Sequence, residues 1–161
     1  MAYADFDFYR KSYYGDVLTA ENADKWLTRA SDELDAPTFG RLTFAFPTIE
    51  AHAAKVKKAV CAIAEALFYI DAQRAAASAQ LAADGSYRGA VASISSGRES
   101  VSFATNGAGT AYAAAAANAE AKTSLINSIV VQYLAGIPDA QGINLLYAGG
   151  VRHAVRHDYC L

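Results

Sequence analysis

The sequence predicts a mainly α protein: a small bundle of three long helices plus a short N-terminal helix, with a β-hairpin near 91–104 and an extended C-terminal tail. Three observations predict it. Apolar residues recur at helical spacing in three stretches, each closed by a Pro or Gly punctuation. Alanine, the strongest helix former, supplies much of the 53% hydrophobic content. Between two alanine-rich stretches lies a polar island, Ser-Ile-Ser-Ser-Gly-Arg-Glu-Ser-Val-Ser-Phe at 93–103, the one place where the chemistry turns strand-like.

At the N-terminus, Tyr3, Phe6, Phe8, Tyr9, Tyr13 and Tyr14 crowd into a short arm. Asp5 can cap a short helix that ends at Gly15. Six rings need burial, and the simplest site is the chain's own core. Thr19 is placed to cap the next helix, which runs to about Asp35 with Ala23, Trp26, Leu27, Ala30 and Leu34 as its apolar stripe. Pro37 lies just past its end. Thr38-Phe39-Gly40-Arg41-Leu42 then reads as a connector, followed by Phe44 and Phe46.

A second long helix is expected from about Thr48 to Ala83, with Ile49, Ala53, Val56, Val60, Ile63, Ala64, Leu67 and Ile70 on one face. Lys55, Lys57 and Lys58 read as a solvated surface. Asp84-Gly85 stops the helix. The polar island follows, then the turn-rich Asn106-Gly107-Ala108-Gly109. Thr110 can cap a third long helix to about Ala135, with Gly136 as its C-terminal cap and Pro138 as a stop. The core rests on Trp26, Leu27, Leu34, Val56, Val60, Ile63, Leu67, Leu125, Ile126, Ile129 and Val130, since alanine buries little area per residue.

At 161 residues one domain is expected, residues 1–142, followed by an extended docking tail at 143–161. The tail is too hydrophobic to remain disordered, and Gly149-Gly150 forms a hinge between its apolar pieces; a partner-binding arm is the preferred reading, and a strand or turn folded back on its own bundle is the alternative. A two-stranded hairpin is marginal in water and exposes unpaired edges, so the polar island needs a surface to lie against. A neighbouring copy or another protein can supply it, with Val101 and Phe103 as buried contacts and Arg98 and Glu99 as rim charges.

The net charge of −2 gives no general nucleic-acid footprint. No apolar run is long enough to span a membrane, and the start of the chain lacks the basic and apolar parts of a signal peptide. Cys61 and Cys160 form no disulfide framework, which fits synthesis in a reducing cytoplasm. There is no GxxxxGK[ST], GxGxxG or HExxH motif. His153, His157 and Cys160, with Asp158 nearby, have ligand chemistry for zinc, but a chain end supplies no supporting shell, and no metal or cofactor is expected. His52 stands in a stretch whose other marks are structural. No catalytic residue is singled out, and an enzyme is not expected.

The order of the segments resembles the head–tail adaptors of long-tailed bacteriophages, also called head–tail connector or head-completion proteins. Four segments carry the resemblance: the aromatic start Tyr3 to Gly15; the helix Ala20 to Asp35 with Pro37-Thr38-Phe39-Gly40-Arg41-Leu42; Val56 to Ala66, leading on to Gly97-Arg98-Glu99-Ser100-Val101-Ser102-Phe103; and Tyr133-Leu134-Ala135-Gly136 with Leu145-Leu146-Tyr147-Ala148-Gly149-Gly150-Val151. The resemblance implies a virion neck protein, made in the host cytoplasm, that forms a ring of about twelve copies below the portal. Leu145, Leu146, Tyr147, Val151, Arg152, Arg156 and Tyr159 would dock on the portal protein. Arg98, Glu99, Val101 and Phe103 would serve a subunit interface. The far side of the ring would receive a stopper or tail-completion protein, and genomic DNA would pass through the channel without sequence readout. Removing residues 143–161 is then expected to leave a folded bundle that no longer binds portal. The alternatives are a stopper or tail-completion protein of the same neck, and a cytosolic helical protein-binding module.

Overall fold

The computed structural model describes residues 2–78, 93–96, 99–102 and 110–148, the backbone alone for 76–78 and for the two strands. It is mainly helical. Asp5 begins α1 (Phe6–Phe8) by accepting the Phe8 N–H at 2.7 Å. The chain continues into a π-helical turn, Tyr9–Tyr13, which Tyr14 ends in the left-handed region at φ 61°. Gly15 then donates its N–H to the Tyr9 carbonyl at 3.0 Å. The arm lies on its own bundle: Ala4 and Tyr9 are core residues, and Tyr3, Phe6, Phe8 and Tyr13 pack against them.

Helix α2 (Ala23–Asp35) buries Ala23, Trp26, Leu27, Ala30 and Leu34, the stripe its spacing predicts. Its start differs from expectation. The Thr19 carbonyl, rather than its hydroxyl, accepts the Asn22 and Ala23 N–H groups, while the Asn22 side chain accepts the Thr19 N–H at 2.9 Å. Ser31 ties α2 to the arm. Its hydroxyl donates to the Leu27 carbonyl and accepts the Tyr3 N–H. Beyond Pro37, the buried Thr38 hydroxyl donates back to the Leu34 carbonyl at 2.9 Å. Gly40, at φ +67°, turns the chain into α3 (Arg41–Phe44), a helical turn inside what reads in sequence as a connector.

Helix α4 (Glu50–Ser78) is the centre of the molecule and packs against α2, α5 (Ala111–Ala117), α6 (Ala119–Leu134) and the π-helical turn. The sequence reading assigned it one apolar face. Instead Ala59, Cys61 and Ala66 are buried as well as Val56, Val60, Ile63, Ala64, Leu67 and Ile70. The buried positions thus span more than one face, while Lys55, Asp71 and Arg74 stay exposed, and the alanines let several neighbours approach. Each large side chain it buries stabilises the fold by about 1.5–3 kcal/mol. Ile49, expected on that face, precedes the helix and is exposed.

The third long helix is two helices. Thr110 caps α5 as expected, accepting the Ala113 N–H at 3.2 Å. At Asn118 the backbone turns extended (φ −133°, ψ 129°), and its side chain accepts the Glu120 N–H at 2.8 Å to start α6. Asparagine competes for backbone partners in this way, so it favours caps over helix interiors. Tyr69 and Tyr112 rings 5.1 Å apart join α4 to α5, Arg74 donates to the Ala116 carbonyl, and Lys122 pairs with Glu33 to join α6 to α2. The backbones of β1 (Ser93–Ser96) and β2 (Glu99–Ser102) pair antiparallel, with Ile94 opposite Val101.

The expected tail begins as a folded turn. After Gly136 (φ +76°), Ile137 and Leu145 are both buried, and the Leu145 N–H donates to the Ile137 carbonyl at 2.9 Å. Pro138 and Asn144 form an antiparallel bridge between them. Of the described residues 143–148, Leu145 is buried in the core and Leu146 packs against it, so the core draws on residues beyond 142.

Candidate interaction surfaces

Two arrangements bring together residues far apart in sequence. The first is a polar knot beneath the aromatic arm. The Tyr9 hydroxyl donates to Glu65 at 2.7 Å and accepts the N–H groups of Val17 and Leu18 at 2.9 and 3.1 Å. Tyr13 also donates to Glu65, at 3.3 Å. Burial, then the Glu65 carboxylate, pushes the Tyr9 phenol up to about 12. Burial, reinforced by Glu65, pushes the neighbouring Cys61 thiol up to about 12, so it is a poor nucleophile at neutral pH. The knot fastens the arm to α4. Its polar atoms already have partners, and it has no open position for a reacting group.

The second arrangement is the C-terminal turn seated on α3. Arg41 donates through its guanidinium to the carbonyls of Asn144 and Tyr147, at 3.2 and 2.8 Å. The Ala140 N–H donates to the Ala45 carbonyl at 3.1 Å. The buried Asp139 carboxylate accepts the N–H groups of Gln141 and Ile143, which sets the bend between them. The Asn144 side chain accepts the Leu146 N–H at 2.9 Å and closes the next turn. This end of the bundle presents apolar side chains to solvent. Phe44 is 91% exposed, and Phe39, Ile143 and Tyr147 are exposed as well.

The residues expected to dock a partner separate here. Leu145 is fully buried in the bundle's own core, so the expectation that it belongs to a docking tail is corrected. Leu146 is half-buried against that core, and Tyr147 is exposed. Val151, Arg152, Arg156 and Tyr159 lie outside the described residues, as do Arg98 and Phe103. Glu99 and Val101 lie on β2, described by backbone alone. His153, His157, Asp158 and Cys160, weighed for a metal, also lie outside the described residues.

Arg41 and Phe44 are the residues that sequence reasoning missed. The carbonyls that Arg41 holds come from 103 and 106 positions further along, and nothing local marks that pairing. Among the described residues, no group of three or more His, Cys, Asp or Glu could hold a metal ion, and no helix is long and apolar enough to cross a membrane. Shallow grooves run along α2 and α6 past Arg29, Asp32, Glu33 and Thr123, Ile126, Asn127. No family model, curated protein or solved structure matches the chain in comparison with known proteins.

Proposed function

We propose that this chain is a structural protein of a bacteriophage neck: an adaptor that forms a ring on the portal, receives the stopper or tail proteins on its other side, and lets genomic DNA pass through the channel. One observation carries the reading. The four segments whose order resembles head–tail adaptors all contribute to one core: Tyr9 from the first, Trp26, Leu27, Leu34 and Leu42 from the second, Val56, Val60, Cys61 and Ile63 from the third, and Leu134 and Leu145 from the fourth.

The helical core also weighs against the stopper alternative, since stoppers are usually built around β-barrels. In this reading the hairpin near 91–104 works at a subunit interface through Arg98, Glu99, Val101 and Phe103. A head-to-tail ring needs two different surfaces per subunit, and the hairpin is one of them. Portal docking falls to Tyr147 and to Val151, Arg152, Arg156 and Tyr159. A net charge of −2 suits a channel that must not grip DNA tightly.

The test is binding of the purified chain to portal rings, with a truncation after Ala148 beside the full chain. Full-length protein is expected to co-sediment with portal, and the truncated protein is expected to stay folded in the supernatant. Unchanged binding by the truncated protein would remove residues 149–161 from the docking role.

A further inference from the structure

The break between α5 and α6 rests on one residue. Helical hydrogen bonds run up to it and resume beyond it. The Asn118 N–H donates to the Ala114 carbonyl at 2.9 Å, and the Lys122 N–H donates to the Asn118 carbonyl at 3.1 Å. The extended backbone of Asn118 separates the N–H groups of Ala119, Glu120 and Ala121 from their helical acceptors, the carbonyls of Ala115, Ala116 and Ala117. The middle pair has substitutes on both sides. The Glu120 N–H donates to the Asn118 side chain at 2.8 Å, and the Ala116 carbonyl accepts from Arg74 of α4 at 3.2 Å. Asn118 and Arg74 thus take up the two groups that a continuous helix would pair with each other.

We propose that α5 is a switchable strap: bent against α4 in the free chain, and able to join α6 as one helix over 111–134 when Arg74 releases the Ala116 carbonyl. Three observations carry this. The first is economy. A change of φ and ψ at Asn118 alone restores the helical ladder. The second is composition. Ala113 to Ala117 precede the break and Ala119 and Ala121 follow it, so both sides favour helix. The third is the hold on α4. Ala115 is the only fully buried residue of α5, and alanine buries little area. The Tyr69–Tyr112 ring pair and the hydrogen bond from Arg74, itself an exposed side chain, attach α5 to α4. An element with so little buried apolar surface opens at low free energy.

Straightening carries Tyr112 away from Tyr69 and uncovers the side of α4 that α5 now covers. That surface belongs to the straight state alone. A partner that binds it, or that offers Arg74 a carboxylate in place of a carbonyl, shifts the chain toward that state. The inference goes beyond the neck reading and does not depend on it.

Two full-length, isotope-labelled variants test it by NMR. Asn118→Ala removes the side chain that holds the Glu120 N–H, and Arg74→Ala removes the hold on Ala116. In the unmodified chain, the Cα chemical shift at position 118 is expected on the extended side of its random-coil value, with cross-peaks between the Tyr69 and Tyr112 rings. In each variant that shift is expected to move toward the helical side. Cross-peaks from the Ala116 α-proton to the Ala119 amide are expected to appear, and those between Tyr69 and Tyr112 to weaken or vanish. Cross-peaks between Trp26 and Phe68, whose rings are 5.9 Å apart, report that the bundle stays folded. A folded variant of either kind that keeps the extended shift would overturn the proposal, because packing would then set the bend. A helical shift at 118 with the Tyr69–Tyr112 cross-peaks intact would also overturn it, since α5 would not have left α4. A helical shift at 118 in the unmodified chain would do the same. Loss of the Trp26–Phe68 cross-peaks in Asn118→Ala would mean unfolding, and Arg74→Ala, altered at an exposed side chain, then decides alone. None of these outcomes involves portal, so failure here and failure of the neck reading are distinguishable.

Discussion

At Gly15 a single hydrogen stands where a methyl group would come within 2.1 Å of the Tyr9 ring. That ring is the most deeply held part of the arm. Its hydroxyl satisfies two backbone N–H groups and one carboxylate at once. Gly15→Ala must displace it, and overpacking of this kind costs about 1–3 kcal/mol. The expected outcome is a lowered denaturation midpoint with unchanged helix content below the transition, read by circular dichroism. Alkaline titration tests the same knot. Burial raises Tyr3 and Tyr9 from 10 to about 12 in the folded chain, helped by Asp35 and Glu65 respectively. A raised folded pKa means that the stabilisation is complete below pH 10 and is lost as the pH rises through 12. Unfolding monitored by fluorescence should therefore begin above pH 10, and the last phenolate absorbance should appear together with it. A chain fully stable at pH 12 would contradict this account of the arm.

Among the elements, α2 was readable almost completely. Its stripe of Ala23, Trp26, Leu27, Ala30 and Leu34 faces the core as spacing alone requires. Helix α4 was readable as a helix but not as the central one. Periodicity reports contrast between faces, and a helix surrounded by neighbours has little contrast to report. The break at Asn118 was hidden by the alanines on both sides, which favour helix whatever the asparagine does. The C-terminal turn was legible only as the alternative to a docking arm, because its stability comes from Arg41 and Ala45, about a hundred positions earlier. Two experiments follow from it. Leu145→Ala should destabilise the bundle by about 2–5 kcal/mol, the cost of truncating a buried leucine. Truncation after Gly142 should likewise destabilise the bundle, whereas truncation after Ala148 leaves the core intact. Equal stability of the two truncated proteins, by urea denaturation, would put Leu145 outside the cooperative unit.

For the whole molecule, the described structure closes its core around α4 and leaves Phe39, Phe44, Ile143 and Tyr147 exposed. The residues proposed to face partners were legible only as chemistry that lacks a home: a polar island with strand character and a hydrophobic chain end. Which protein each one meets is a property of the assembly, and one chain's periodicity does not encode it. Arg41 shows the same limit within the chain, since its role arises where distant segments meet. The neck reading makes the molecule a ring subunit whose two surfaces differ, so its assembly should be templated and closed. The most direct measurement is the mass of the complex formed when this chain is mixed with portal rings, read by native mass spectrometry or single-particle imaging. The account predicts one closed ring of about twelve copies on each portal. A chain that stays monomeric and bound to neither portal nor capsid would contradict it.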